Sequence, residues 1–269
     1  MDKNILIIGL NSEIAQNVIN ELKRNNWNIY ATSRQVSLME DKVHEYRLDV
    51  SKEEDFIHLK ECFNNIKFDV ILNFTGIAVA SPVEELQESE LKKQLDVNLF
   101  GLLRIIKYFA PSLKEDGRLI NTSSMASYGV FPFISPYCLS KASADILLNS
   151  YAIESGKRVV SIRPGAVATK FWDASIENNK ACFENDKEKF KKEKEFLAQN
   201  AQKNSLKALN PIYVAKKIAN IIELKNPSLV YNIGLDSKIA KLSRFVPQRI
   251  INKIIKIGLK TRLKRTQNG

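Results

Sequence analysis

The chain has 269 residues, 44% of them hydrophobic and 26% charged, which is enough to bury a core and excludes a disordered or collagen-like polymer. Its net charge of +11 is concentrated at one end: ten Lys or Arg and no Asp or Glu lie from Lys238 to Gly269, leaving 31 basic and 30 acidic residues over 1–237, so the body is not a polybasic nucleic-acid binder. Cys62, Cys138 and Cys182 form neither an even set nor a Cys-x-x-Cys pair, and His44 and His58 are the only histidines; a disulfide framework and a multi-histidine metal centre are excluded, and a reducing, cytoplasmic setting is expected.

Met1-Asp2-Lys3 opens directly into an apolar run, without a basic leader and small-residue cleavage site. The spacing predicts a first strand over Asn4–Ile8 and a helix over Ser12–Asn25, with Ile14, Val18, Ile19 and Leu22 on one face. Between them runs Gly9-Leu10-Asn11-Ser12-Glu13-Ile14-Ala15-Gln16. A strand, a tight turn and a helix start form an anion site, because the helix amides and dipole both favour a pyrophosphate. Glu13 and Ala15 stand where a full dinucleotide fingerprint carries its second and third glycines. Taken alone, the stretch reads equally as a strand–helix turn capped by Asn11 or Ser12.

The second strand, Trp27–Ser33, ends at Ser33-Arg34. A carboxylate there would bond the ribose of NAD, whereas an arginine accommodates the 2′-phosphate of NADP(H); the sequence favours NADP(H), with NAD(H) as the alternative. Further strands are predicted over Lys42–Leu48, Phe68–Phe74, Arg118–Ser123, Arg158–Arg163 and Ser228–Ile233. Further helices are predicted over Ser51–Asn65, Leu91–Leu113 and Pro136–Ser155. Continuous apolar runs such as Ile5-Leu6-Ile7-Ile8 suit strands covered on both faces. Strand alternating with helix implies a doubly wound parallel α/β sheet in one domain over 1–237.

Two stretches break this rhythm. Lys170–Ala208 carries the charge run Glu184–Glu195 and the aromatics Phe171, Trp172, Phe183, Phe190 and Phe196; it reads as a solvated helix face or as a lid over a site. In the basic tail, 238–269, a helix starting at Pro247 places Ile250, Ile251, Ile254, Ile255 and Leu259 among Arg249, Lys253, Lys256, Lys260 and Arg262, with Gly258 midway. That pattern suits peripheral contact with anionic lipid, and equally a helix packed on the protein or on a second subunit; nucleic acid fits least. No run reaches the roughly 18 apolar residues of a membrane span.

The chemistry-bearing motif is Tyr137-Cys138-Leu139-Ser140-Lys141. Tyrosine and lysine at i and i+4 share a helix face, and an ammonium favours the ionised form of a phenol whose unperturbed pKa is about 10. Ser124 lies upstream at the end of the strand that carries Leu119-Ile120-Asn121-Thr122-Ser123, and open α/β sheets gather active groups at the carboxyl ends of their strands. Asn73-Phe74-Thr75-Gly76 ends the preceding strand, Asn98 sits in the intervening helix, and Arg163-Pro164-Gly165-Ala166-Val167-Ala168-Thr169 ends the following strand.

With this ordered set the sequence resembles the short-chain dehydrogenase/reductase family, in its short single-domain branch, from about Asn4 to Ile233. The resemblance implies a three-layer Rossmann fold and hydride transfer between a nicotinamide and a carbonyl or alcohol. Tyr137 would exchange the proton, Lys141 would lower its pKa and hold the nicotinamide ribose, Ser124 would bond the substrate oxygen, and Asn98 would hold a water linking Lys141 to solvent. The cofactor would meet Gly9, Asn11, Ser12 and Ile14 at the pyrophosphate, Ser33 and Arg34 at the adenosine ribose, and Asp49 and Val50 at the adenine. Along its length Asn73, Gly76, Pro164, Gly165 and Val167 would border it, with Thr169 at the carboxamide. No metal is expected.

Met125–Ile134, with the aromatic residues of the 171–196 region, reads as the lining of an apolar pocket or as core packing under a loop; the pocket favours a hydrophobic ketone or alcohol such as an acyl-chain, steroid-like or sphingoid-like molecule. A homo-oligomer is expected. The departures from the family pattern are Glu13, Ala15 and Thr75. They leave a second reading open, a catalytically silent dinucleotide-binding sensor or scaffold.

Overall fold

Alternation along the first strand sorts the core into two layers. In the computed structural model, which describes residues 3–36, 42–171, 190–193 and 208–266, β1 spans Lys3–Ile8 and all four of its apolar residues are fully buried. Successive strand side chains point to opposite faces, so Ile5 and Ile7 join one apolar cluster while Leu6 and Ile8 join the other. The sheet has seven strands in the order β3-β2-β1-β4-β5-β6-β7, with β2 at Trp27–Ser33, β3 at Val43–Arg47, β4 at Phe68–Asn73, β5 at Leu113–Thr122, β6 at Arg158–Pro164 and β7 at Val230–Ile233. Every neighbouring pair is parallel.

On one face α1 (Glu13–Leu22) packs against α6 (Pro211–Glu223) over Ile5, Ile7 and Ile29. On the other face lie α2 (Glu53–Cys62), α4 (Gly101–Tyr108) and α5 (Ser135–Ser155), which bury Phe56, Leu59, Leu102, Ile105 and Leu148 against Leu6 and Ile8. The result is the doubly wound, three-layer α/β/α arrangement expected from the alternation. Its chain order reverses direction between β1 and β4, the switch point at which open α/β sheets bind ligands. Among the described residues the remaining α-helices are α3 (Glu88–Leu95), α7 (Leu235–Ser243) and α8 (Gln248–Thr266).

Two expectations are corrected. The helix expected over Leu91–Leu113 begins at Glu88, widens into a π-type turn over Asp96–Phe100 and ends at Tyr108. Strand β5 begins at Leu113 rather than Arg118 because Leu113 pairs with Phe68 across a register shift, a tertiary contact that the polar run Lys114–Asp116 conceals. Trp172, Phe183 and Phe196 of the expected lid lie outside the described residues.

Candidate active site

Gly9 ends β1 at φ +93°, a conformation that a side chain strains. A Cβ there would stand 3.1 Å from the Thr75 methyl and 3.3 Å from the Phe74 carbonyl carbon. The turn is fixed by the Gly9 and Leu10 amides, which both donate to the Thr32 carbonyl, at 3.0 and 2.9 Å. Ser12 sits at the N-cap of α1 but its side chain makes no capping bond, so the capping expected of it is absent. The first-turn amides therefore stay available to an anion beside a glycine cradle, which fits a pyrophosphate. Asn11 and Glu13 are exposed, Ile14 is half-buried and Ala15 is buried. The Glu13 carboxylate is thus solvated instead of being driven into the turn.

At the end of β2, Ser33 is turned inward. Its hydroxyl lies 2.6 Å from both the Gln35 carbonyl and Glu45 Oε1, and its single hydrogen serves one of them at a time. Arg34 is exposed and its charge reaches Asp49. Burial raises the pKa of Asp49, but two bonds from Ser51 and the charges of Arg34 and Lys52 outweigh it and hold the carboxyl below its usual range. Val50 is buried against Gly101, where a Cβ would meet it at 3.2 Å.

The ends of β4 and β5 are tied together by buried amides. Asn73 Nδ2 donates to Asn121 Oδ1 at 2.8 Å, and Asn73 Oδ1 accepts from the Thr75 amide and hydroxyl. Thr75 is accommodated by this turn. Past it, Gly76 leaves room for the site, since a Cβ there would lie 3.1 Å from Lys141 Nζ and 3.4 Å from Asn98 Oδ1. Asn98 sits in the π-type turn and is buried. Its Oδ1 accepts from the Ile77 amide at 2.8 Å, and its Nδ2 donates to the Ile77 carbonyl and to Ser140 Oγ, both at 2.9 Å. Gln94, one turn earlier, accepts from the Val79 amide and donates to the same Ser140 hydroxyl, which itself donates to the Tyr137 carbonyl. Gln94 and Ser140 were not singled out from sequence; the i, i+4 spacing of the two amides Gln94 and Asn98 was their one signal.

Tyr137 and Lys141 meet as their spacing requires. Both are buried, Lys141 Nζ lies 5.7 Å from the centroid of the Tyr137 ring, and it donates to the Thr122 carbonyl at 3.0 Å. The hydroxyls of Tyr137 and Ser124 share a hydrogen bond, and Ser124 Oγ also accepts from the Ala126 amide. Burial drives both titrating groups toward neutrality. It pushes the phenol up to about 12, against the opposing pull of Ser124, and the ammonium down to about 8, against the opposing pull of Asp145. The expected lowering of the phenol by Lys141 is therefore not what this structure holds: desolvation is larger, and the ammonium is spent on a carbonyl and a ring face. Around the phenol, Ala78, Ala126 and Cys138 form an apolar patch with Phe131, Ile134 and Phe171, and the Phe171 ring lies 5.8 Å from that of Tyr137. Phe133 holds φ +68°, a strained conformation for a bulky residue, and its carbonyl accepts from the Ser81 amide.

Beyond Pro164 at the end of β6, the loop is pinned on both sides. Val167 bridges to Leu209, Asp236 Oδ2 accepts from the Ala166 amide at 2.8 Å, and a Cβ on Gly165 would fall 1.8 Å from Asp236 Oδ1. Thr169, half-buried, accepts from the Phe171 amide. Beneath the site lies a buried pair absent from the sequence reading. Arg163 approaches Asp145 at 3.0 Å, Ser123 and Ser161 donate to the same carboxylate, and the guanidinium stacks 4.4 Å from the Tyr128 ring centroid.

A family model described as Enoyl-(Acyl carrier protein) reductase matches residues 9–204. The chain is 29% identical over 255 residues to the 3-amino-tetrahydro-pyrrolizinone reductase of Xenorhabdus hominickii, with 88% of each chain covered. It is 25% identical over 277 residues to the NADPH-dependent 1-acyldihydroxyacetone phosphate reductase of Saccharomyces cerevisiae, covering 93% of this chain and 89% of that one. A crystal structure of a short chain dehydrogenase from Burkholderia cenocepacia J2315 in complex with NADP shares the fold, with a TM-score of 0.73 at 16% identity over 94% of this chain and 97% of that one. The family match spans most of the chain. The chain belongs to the short-chain dehydrogenase/reductase family and is an NAD(P)-dependent oxidoreductase.

Proposed function

We propose that this chain reduces a hydrophobic ketone with NADPH, using Ser124, Tyr137 and Lys141 and supported by Asn98. The observation that carries the reading is a neutral, buried phenol bonded to Ser124 and lying beside an ammonium in an apolar patch. A phenol that keeps its proton at neutral pH suits donation to a carbonyl oxygen, the reductive direction. The cofactor, when bound, supplies the hydride.

Gly9, Asn11, Ser12 and Ile14 would hold its pyrophosphate, and Asp49 and Val50 its adenine. Asn73, Gly76, Pro164, Gly165, Val167 and Thr169 would border the rest. Ser124 holds the substrate oxygen beside the Tyr137 hydroxyl, and Tyr137 gives up its proton as that oxygen gains charge. Lys141 then stabilises the phenolate left behind, an interaction that strengthens as charge develops in a dry site. Asn98 fixes the Gly76–Ile77 loop against α5. Both ends of its amide are occupied, so a water relay to Lys141 would run from its main chain.

Preference for NADPH is supported by exposed Arg34, since the inward Ser33 leaves the guanidinium as the group at that strand end able to meet a 2′-phosphate. A ketone bearing an acyl chain is supported by Phe131, Ile134 and Phe171 around the phenol and by the acyl-ketone named for the yeast relative. Assembly with a second copy is supported by Leu139, Ile146 and Ile153, exposed at seven-residue spacing on α5 beside exposed Phe100 and Leu103. The scaffold alternative rested on Glu13, Ala15 and Thr75, of which Glu13 is exposed, Ala15 is buried in α1 and Thr75 is bonded within its turn. Tyr137→Phe is the test. With a panel of hydrophobic ketones, read as loss of NADPH absorbance, turnover should fall by about 10³-fold or more while NADPH affinity stays within about twofold. Full turnover by the variant would overturn the mechanism.

A further inference from the structure

Two exposed apolar surfaces of this molecule differ in charge. On the α4–α5 face the neighbouring cations are internally paired, Arg104 with Asp96 and Lys107 with Glu53. The second surface is formed by α7, the turn after it and α8. On α7, Leu235, Ile239 and Leu242 recur at i, i+4 and i+7 and are 58–73% exposed; Phe245 in the turn is 81% exposed; and Ile250, Ile254 and Ile257 of α8 are 50–61% exposed. The spacing of the last three places them on one helix face, and Arg249, Lys253, Lys256 and Lys260 share the adjacent one. Lys238, Lys241 and Arg244 continue the positive charge along α7, and no acidic residue follows Asp236.

We propose that this surface docks on an anionic phospholipid bilayer, with α8 lying in the interface plane. Apolar side chains beside a row of unopposed cations match a headgroup boundary, where acyl chains take the isoleucines and lipid phosphates take the lysines. A second copy is the poorer occupant, because its own surface would bring the same charge, and the body over 1–237, at net +1, carries no excess of acid to attract it. Helix α7 also connects the surface to the active site. Its inner side holds the Pro164–Gly165 loop through Asp236 and the Arg163 carbonyl through Ser237, and it packs on the Met125–Tyr128 turn that follows Ser124. Docking through its outer side places the substrate loops beside the bilayer. Among the described residues no helix is long and apolar enough to cross a membrane, so the contact is peripheral.

The test is flotation of the full-length protein with vesicles of phosphatidylcholine alone and with vesicles that also contain phosphatidylglycerol. Binding is expected to the anionic vesicles only. It should weaken by more than about thirtyfold in Lys253→Glu/Lys256→Glu and at least about tenfold in Ile254→Glu/Ile257→Glu, with NADPH binding unchanged in both variants as the measure of folding. Absence of wild-type flotation overturns the proposal, as does flotation insensitive to either pair of substitutions. A dimer that dissociates in Ile254→Glu/Ile257→Glu without any vesicle binding assigns the face to a second copy and also overturns it. None of these outcomes depends on which ketone is reduced, so the proposal stands or falls apart from the catalytic reading.

Discussion

Lys141→Met separates the catalytic value of the ammonium from its energetic cost. Burial lowers the lysine from its ordinary 10.5 to about 8, and each pKa unit is 1.36 kcal/mol, so holding this charge inside the fold costs about 3 kcal/mol at pH 7. Methionine keeps the length without the charge, but it forfeits the bond to the Thr122 carbonyl, about 1 kcal/mol. The variant should therefore be more stable than wild type by about 2 kcal/mol at pH 7 while losing turnover. Between pH 8 and 10.5 the unfolded chain holds more protons on this lysine than the folded one, so wild-type stability rises with pH across that window. The advantage of the variant should accordingly shrink by about 1 kcal/mol at pH 9. Urea unfolding of the cofactor-free protein, followed by the fluorescence of buried Trp27, measures both quantities. A variant less stable than wild type at pH 7, or a stability gap that does not change with pH, would refute the assignment of the low pKa to burial.

Three further substitutions probe the parts around it. Arg163→Met leaves the buried Asp145 carboxylate with only its two serine donors and should destabilise by about 3–5 kcal/mol; adding Asp145→Leu should restore most of that in denaturant titrations. Gly165→Ala drives a methyl to 1.8 Å from Asp236. It should cost about 1–3 kcal/mol and lower turnover, with much of the stability recovered in an Asp236→Ala background. Arg34→Ala should raise KM for NADPH about tenfold and leave KM for NADH nearly unchanged; equal losses for the two would remove the phosphate role.

What the sequence displayed was whatever repeats locally. Strand β2 occupies the expected residues 27–33, and the apolar run of β1 shows its two-sided burial directly. Tyr137 and Lys141 are legible because a helix brings i and i+4 together, and Ser124 because strand ends gather at one edge of the sheet. Elements stabilised by distant partners were hidden. The first half of β5 is polar and becomes strand through Leu113 against Phe68. Asn210-Pro211 is a legible helix start, with the Asn210 side chain accepting from the Ile212 amide, yet α6 stands where the reading along the chain names no element. Asp145 and Arg163 lie on different elements, and nothing in either neighbourhood marks them as one buried pair.

The departures from the family pattern become intelligible only as pairs. Thr75 replaces a smaller residue, and its methyl fills the space over Gly9, so the bulk added at the end of β4 is matched by the absence of a side chain at the end of β1. The same turn uses the Thr75 hydroxyl and amide to hold Asn73 Oδ1, which leaves Asn73 Nδ2 for Asn121 and ties the end of β4, one wall of the switch point, to the end of β5. Glu13 is tolerated for a different reason: it projects into water, where screening weakens its repulsion of a neighbouring pyrophosphate. One departure is thus compensated by packing and the other by solvent. A sequence read position by position sees Thr75 and Glu13 as two separate departures, whereas the fold contains one remodelled turn and one solvated carboxylate.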